Sequence, residues 1–197
     1  MPYCLIPTTR PALVDTMIKS AEQDGWTVLT LEGSSGASNT RELLFEQAIS
    51  LGAKYIRYAD DDDICIYPHR ETFCYYLDNN PNCDIVYGNF VKTFGSHTEY
   101  IKYAGDFKQD IKQGIGLAPW TWVAKASSLA KLNRIWDPLM AKGQGSWMII
   151  QAALAGLKIE HLPVDVYHYH RYAVRPCITE SNPSLTAEEL HAWVDKI

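Results

Sequence analysis

Apolar and polar positions change period several times along the chain, and each change predicts an element. Residues 3–6 (Tyr-Cys-Leu-Ile) form a short apolar run that reads as a buried strand stopped by Pro7. Beyond Pro11, which suits the first turn of a helix, Leu13, Val14, Met17, Ile18 and Ala21 recur at helical spacing as far as Gly25. Residues 26–31 (WTVLTL) are apolar and β-branched and predict a second strand, ending in Glu32-Gly33-Ser34-Ser35-Gly36. A second helix is predicted over 40–51, with Asn39 and Glu42 spaced as a capping box and Gly52 as its C-terminal stop. Residues 55–59 predict a third strand, which runs straight into Asp60-Asp61-Asp62-Asp63.

This βαβαβ alternation predicts a parallel sheet with helices on both faces, joined by right-handed crossovers. Ligands of such sheets bind beyond the carboxyl ends of the strands. The polar segments 7–10, 32–36 and 60–63 follow those ends, so they are expected to converge on one crevice. The second half is less regular. Helices are predicted over 68–80, 127–133 and 147–155, strands over 84–91, 158–162 and 164–169, and loops with short strands over 96–113. Thr186 and Glu189 form a second capping-box pair opening a terminal helix. With no internal repeat or linker, the expectation is one domain over 1–197, residues 1–92 forming its ligand-binding half and 93–197 the other, with the terminal helix.

Composition narrows the classes. Hydrophobic residues make up 47% and charged residues 21% of the 197, which is ordinary for a globular domain and excludes disorder, collagen and coiled coil. A net charge of −5 argues against a dedicated nucleic-acid or membrane-surface binder. The five cysteines form no Cys-x-x-Cys pair and read as free thiols of a reducing compartment. No secretory leader precedes residue 3, and runs such as Trp147-Met148-Ile149-Ile150 fall far short of a membrane span of roughly 20 residues. A cytoplasmic protein is expected, with any membrane attachment peripheral.

Four adjacent carboxylates at a strand exit repel one another, and a hard divalent cation such as Mg²⁺ or Mn²⁺ would offset that repulsion while bridging to phosphate oxygens. A solvated acidic turn accounts for the same charges without a ligand. A calcium loop starting at Asp60 is excluded, because Ile64 and Cys65 stand where a ligand and the turn glycine are required. Upstream, Gly36-Ala37-Ser38-Asn39-Thr40-Arg41-Glu42 opens a helix whose free N–H groups suit phosphate. Arg41 could add a bidentate contact to it, or pair with Glu42 or Glu46 on the helix surface. A cation site and a phosphate site in one crevice point to a nucleoside diphosphate.

These segments together resemble the nucleotide-diphospho-sugar glycosyltransferases of the GT-A fold, especially the inverting family 2. The counterparts are Ile6-Pro7-Thr8-Thr9-Arg10, Leu31-Glu32-Gly33-Ser34, Gly36 to Glu42 and Gly52 to Asp63, in that order. Looser matches continue through Val86-Tyr87-Gly88, Trp136-Asp137-Pro138, Ala155 to Ile159 and Tyr167 to Arg171. The resemblance implies an α/β fold with a Rossmann-like, mostly parallel central sheet. It also implies that Pro7, Thr8, Thr9 and Arg10 hold the nucleoside, with Glu32 near the base and Arg41 near the pyrophosphate. Asp60 and Asp61 would line the donor, Asp60 and Asp62 the Mn²⁺ or Mg²⁺, and His168 or His170 would reach metal or diphosphate.

The family's acidic catalytic pair, in a Gly-x-Glu-Asp-Trp-like segment, is replaced here within Gly143-Gln144-Gly145-Ser146-Trp147. An inverting transferase needs a carboxylate to accept the acceptor's hydroxyl proton. Asp137 or Glu160 could serve; alternatively the enzyme retains configuration, with Gln144 facing the sugar, or the chain is a degenerate sugar-nucleotide or glycan binder. Trp120, Trp122 and Trp147 are candidates for the acceptor side, the alternation of the first two predicting one ring toward the core and one toward the crevice. The resulting expectation is a metal-dependent transferase moving a sugar from a nucleoside-diphosphate donor, UDP favoured, to an acceptor hydroxyl on a glycan or lipid-linked glycan. A hydroxylated nucleic-acid base is a less favoured acceptor. Sugar-nucleotide nucleotidyltransferases share a similar sheet, but place a Gly-rich loop where Pro7-Thr8-Thr9-Arg10 stands.

Overall fold

The computed structural model describes residues 1–9, 11, 14–33, 37–66, 68–136, 144–171 and 186–197. The first half alternates as its periodicity predicts: β1 (Pro2–Thr8), α1 (Val14–Gln23), β2 (Thr27–Glu32), α2 (Ala37–Ser50) and β3 (Tyr55–Tyr58). There follow β4 (Ile64–Cys65), α3 (His69–Asn79), β5 (Ile85–Phe94), β6 (His97–Ile101), α4 (Phe107–Lys112) and a 3₁₀ turn at Pro119–Thr121. The chain continues through β7 (Trp122–Lys125), α5 (Ala126–Leu129), α6 (Gln144–Leu154), β8 (Ile159–Arg171) and α7 (Ala187–Val194).

The eight described strands form one sheet in the order β2-β1-β3-β7-β5-β8-β4, with β6 hydrogen-bonded to the outside of this path on β5. β1 pairs in parallel with both β2 and β3, so the chain reverses its direction of travel across the sheet at β1. β7 enters antiparallel between β3 and β5, and β8 resumes the parallel direction beside β5. The result is the expected α/β class, a mixed sheet in which most strands still run one way.

Two apolar layers cover the sheet. Leu44, Phe45 and Ala48 of α2 and Met148, Ile149 and Ala152 of α6 pack on one face around Ile56, Tyr58 and Trp122. Met17 and Ala21 of α1 and Phe73, Cys74 and Leu77 of α3 pack on the other around Cys4, Ile6 and Val86. Burying side chains of this size stabilises by roughly 1.5–3 kcal/mol each before entropy is counted. Gly25 (φ 82°) and Gly52 (φ 75°) close α1 and α2 in the left-handed region that only glycine enters freely. The four described cysteines, Cys4, Cys65, Cys74 and Cys83, are buried free thiols; Cys177 lies outside the described residues.

Several boundaries differ from the sequence-based expectation. β1 continues through Pro7 to Thr8 because its pairing with β3 ends at Leu5↔Tyr58, so the missing proline N–H forfeits no ladder bond. α2 starts at Ala37, which puts Asn39 and Glu42 inside the helix rather than at its cap. Glu42 accepts instead from the Trp136 N–H at 3.1 Å. The helix expected over 127–133 is a single turn at Ala126–Leu129, directly after the strand Trp122–Lys125. The two strands expected after Lys158 are one, with Pro163 accommodated where the register against β5 shifts beyond Gly88↔Leu162. Thr186 and Glu189 do form a capping box on α7.

One buried cation sits in the second layer. Arg57, fully inaccessible, donates through Nη1 to Cys65 Sγ at 3.0 Å and contacts His69 Nδ1 at 2.5 Å. Its guanidinium lies against the rings of Trp26 and Tyr167, at 5.5 and 5.4 Å, and buried Asp24 contributes an opposite charge. Burial first, and Arg57 second, hold the His69 ring well below its ordinary titration range. The folded protein therefore keeps this ring neutral, whereas the unfolded chain binds its proton near pH 6.5. The contribution of His69 to stability is complete above that pH and is lost as pH falls below it, by about 1.4 kcal/mol per unit. His69→Gln preserves an acceptor for Arg57 but cannot titrate. Its melting temperature is expected to fall less steeply than that of the wild type between pH 7 and 5. Equal slopes would assign the acid sensitivity to another group.

Candidate functional site

The strand exits converge at the point where the chain reverses across the sheet. Register pairs Thr8 with Glu32 across β1 and β2, and Gly33 N–H donates to Thr8 O at 3.0 Å. A Cβ on Gly33 would fall 1.8 Å from Thr40 Oγ1, so glycine here is what lets the first turn of α2 close on the end of β2. On the other side, Ala59 N–H donates to Leu5 O at 3.0 Å, after which the chain turns into the aspartates.

The four carboxylates alternate in environment. Asp61 and Asp63 are buried, at 4% and 1% exposure, whereas Asp60 and Asp62 are only partly covered. Asp61 Oδ2 accepts from Thr8 Oγ1 at 2.6 Å and ties the first strand exit to the third. Asp60, its side chain 33% exposed, accepts from Arg41 Nη2 at 3.0 Å. The Arg41 side chain is 10% exposed, and its Nη1 donates to Gln144 Oε1 at 2.6 Å. Its guanidinium carbon stands 5.1 Å from the centre of the Trp136 ring, while Tyr58 OH donates to the Arg41 carbonyl at 3.3 Å. Burial pushes the Asp60 carboxyl above the usual carboxylate range; Asp62 and Asp61 add to that shift, and Arg41 opposes it. The turn thus carries more negative charge than Arg41 alone offsets.

The other expected site residues are distributed as follows. Pro7 is half-buried, and Thr9 and Glu32 are exposed near the strand exits. Arg10 and Asp137 lie outside the described residues, as does the side chain of His170. His168 contacts Thr93 through Nε2 at 2.7 Å, and strand alternation puts it on the opposite face from Tyr167. It is Tyr167, through its hydroxyl, that accepts from Asp60 N–H at 3.1 Å. Sequence reasoning missed this residue because the histidines of Tyr-His-Tyr-His carry the more familiar metal chemistry, although period two separates 167 and 169 from 168 and 170. Trp136, which contacts Arg41 and was likewise not anticipated at the site, stood only in the loosely matched Trp136-Asp137-Pro138 segment.

Trp120 and Trp122 are both buried, at 5% and 0% exposure, against the expectation of one ring toward the crevice. Residues two apart on a strand share a face, and it is the 3₁₀ turn holding Trp120 that sends the two rings to opposite layers. Trp120 stacks on Tyr167 at 4.5 Å and on Tyr169 at 5.5 Å, while Trp122 packs between Tyr58 and Trp136 in the opposite layer. Trp147 is half-buried and meets Trp193 of α7 edge to face at 5.1 Å. Glu160 accepts from Tyr76 OH at the start of β8. Gly145 and Ser146, which stand where the family 2 pattern has its acidic pair, are packing residues. A Cβ on Gly145 would lie 2.1 Å from Leu117 O, and buried Ser146 accepts through Oγ from Leu117 N–H at 3.1 Å.

The order of the strands and the helices that flank them match a GT-A-like glycosyltransferase fold. No protein-family profile matches the chain, and no curated protein is similar to it in sequence. Structural similarity is extensive. S. aureus TarS 1–349 in complex with UDP-GlcNAc superposes with a TM-score of 0.69 at 13% identity, over 92% of this chain and 61% of that one. The same protein in complex with UDP gives 0.64 at 14% identity, over 87% and 61%. A197 from STIV gives 0.59 at 13% identity, over 82% of this chain and 81% of that one. This chain therefore spans about three fifths of the TarS 1–349 structures. Among the described residues, no helix is long and apolar enough to cross a membrane.

Proposed function

We propose that this protein is a glycosyltransferase that transfers a sugar from a nucleoside-diphosphate donor, UDP-linked by preference, to a hydroxyl of a glycan or lipid-linked acceptor. The observation that carries the reading is the junction of Arg41, Asp60 and the Thr8–Asp61 strut at the strand exits of a sheet shared with TarS, which was crystallised with UDP-GlcNAc and UDP. Transfer forms a bond from the acceptor oxygen to the anomeric carbon as the carbon–oxygen bond to the diphosphate breaks, its electron pair leaving on phosphate, which takes up the acceptor's hydroxyl proton. The chain's task is to hold the donor and stabilise that departing charge. Arg41 offers a rigid fork for phosphate oxygens, and the Thr8–Asp61 strut fixes the loop that would hold the nucleoside.

A divalent cation fits the residues present. Asp60 and Asp62 are the less buried pair of the turn, and their oxygen chemistry suits Mn²⁺ or Mg²⁺. Among the described residues no three metal-ligating side chains converge. The fit is to an ion held by one or two carboxylates and completed by phosphate and water, the usual manner of Mg²⁺. Bound there, it would supply neutralisation of charge on the leaving diphosphate.

The closed start of α6 favours a second reading, a sugar-nucleotide binder without transfer, because Gly145 and Ser146 leave no carboxylate there to take the acceptor proton. A thermal-shift screen of UDP-, GDP- and dTDP-sugars with Mn²⁺ tests the common premise. A ligand at a hundredfold excess over its Kd adds about 2.7 kcal/mol, which raises the melting temperature by about 5–10 °C. Stabilisation with slow donor hydrolysis supports the transferase; stabilisation with neither hydrolysis nor transfer to any acceptor supports the binder. No shift with any donor would remove both.

A further inference from the structure

We infer that Arg41 is an exchangeable clamp: it occupies Asp60 until a nucleoside diphosphate enters and draws it away, which makes diphosphate and divalent cation bind with positive coupling. The inference rests on the diphosphate reading of the crevice given above. Three features of Arg41 support it. Its two terminal nitrogens are divided between a charged partner, Asp60 at 3.0 Å, and a neutral one, Gln144 at 2.6 Å. Its Nε is buried without a hydrogen-bond partner, in a side chain only 10% exposed. Finally, the guanidinium carbon stands 5.1 Å from the centre of the Trp136 ring, an uncharged support that does not compete with phosphate for the fork.

A buried donor without an acceptor gives up its hydration for nothing, so the arrangement with Asp60 leaves the guanidinium incompletely used. A diphosphate offers it several acceptor oxygens in the paired geometry that arginine matches best. Asp60, a third exposed, is reachable by solvent cations, but the Arg41 charge competes for the same carboxylate. Cation and diphosphate each gain from separating one ion pair, and the cost of separation falls on whichever arrives first. Linkage then requires each to tighten the other by the same factor. Gln144 suits this role because a neutral carbonyl steadies Arg41 in either position, whereas a carboxylate would hold it back from phosphate.

Calorimetry with Mn²⁺ alone, UDP alone and both together tests the clamp on wild type and on Arg41→Gln, with circular dichroism checking the fold. For wild type, each ligand is expected to tighten the other by about 5–150-fold. In Arg41→Gln, Mn²⁺ alone should bind about fivefold or more tighter, UDP about tenfold or more weaker, and the mutual factor should shrink to what direct contact between ion and phosphate supplies. Arg41→Lys, which keeps the charge without the fork, should hold Mn²⁺ affinity near wild type and still lose UDP. A purely structural role for Arg41 predicts that both ligands weaken in Arg41→Gln, and that result, or unchanged Mn²⁺ affinity with UDP still bound, overturns the clamp alone. Absence of UDP binding to wild type, with and without Mn²⁺, overturns the diphosphate reading and the clamp with it.

Discussion

Asp62→Ala is expected to lower kcat/KM by about 10³-fold or more while leaving the melting temperature unchanged or slightly raised. The two halves of this expectation have separate causes. Within the aspartate turn, Asp61 is committed to Thr8 and Asp63 is almost inaccessible. Asp62 is, with Asp60, one of the two partly exposed carboxylates of the proposed ion site, so its removal disturbs packing less than that of buried Asp61 or Asp63. Charge stabilisation of a departing diphosphate is worth several kcal/mol, and about 1.4 kcal/mol corresponds to each tenfold in rate. Deleting one of four crowded negative charges also relieves repulsion in the unliganded protein, so stability does not suffer. Steady-state kinetics with the donor found in the screen, beside a thermal melt of the variant, checks both halves. Full activity in Asp62→Ala would remove this residue from the reaction.

Gly145→Glu, which restores one acid of the family 2 pattern, is expected to abolish folding rather than to create a better enzyme. Any Cβ at this position lies 2.1 Å from Leu117 O, 2.8 Å from Pro119 Cδ and 2.9 Å from Ala118 C. Two of the three obstacles are backbone, which cannot rotate aside, and the third belongs to a proline ring. Overpacking of this sort costs about 1–3 kcal/mol or more, and burying an unpaired carboxylate adds to it. The sum is a large share of the roughly 5–15 kcal/mol that keeps a domain folded. Soluble yield and far-ultraviolet circular dichroism report the outcome. A folded Gly145→Glu protein with raised transferase activity would mean that the 117–119 segment yields, and that the start of α6 is open to a base after all.

The first half of the fold was legible because its strands are short apolar runs and its helices end at Gly25 and Gly52, so each local signal agreed with the tertiary outcome. β7 was not legible: Trp122–Lys125 is four residues long, sits between two antiparallel neighbours and follows directly on a turn, so that no apolar run of its own marks its start. At the site, the aspartate run and the helix start pointed to Asp60 and Arg41, and the family resemblance to Gln144, but nothing showed that Arg41 joins the other two, since contacts across 19 and 103 residues leave no local trace. The distinction between Asp61 and Asp62 was likewise hidden, because identical side chains in a row acquire their different tasks only from which way the turn faces them.

The irregular pairing of β8 carries a lesson about chain length. Gly88 and Phe90 lie two apart on β5, yet their partners Leu162 and Tyr167 lie five apart on β8. An odd surplus of residues inverts the in-and-out parity of everything downstream. Trimming a single residue between Pro163 and Val166 would thus exchange the occupants of the two sides of the distal strand, turning the imidazole of His168 toward the aspartate loop and the phenol of Tyr167 away from it. Length variation at this one spot is a route by which such a scaffold can trade a hydroxyl for a metal-binding ring without altering any side chain it already has.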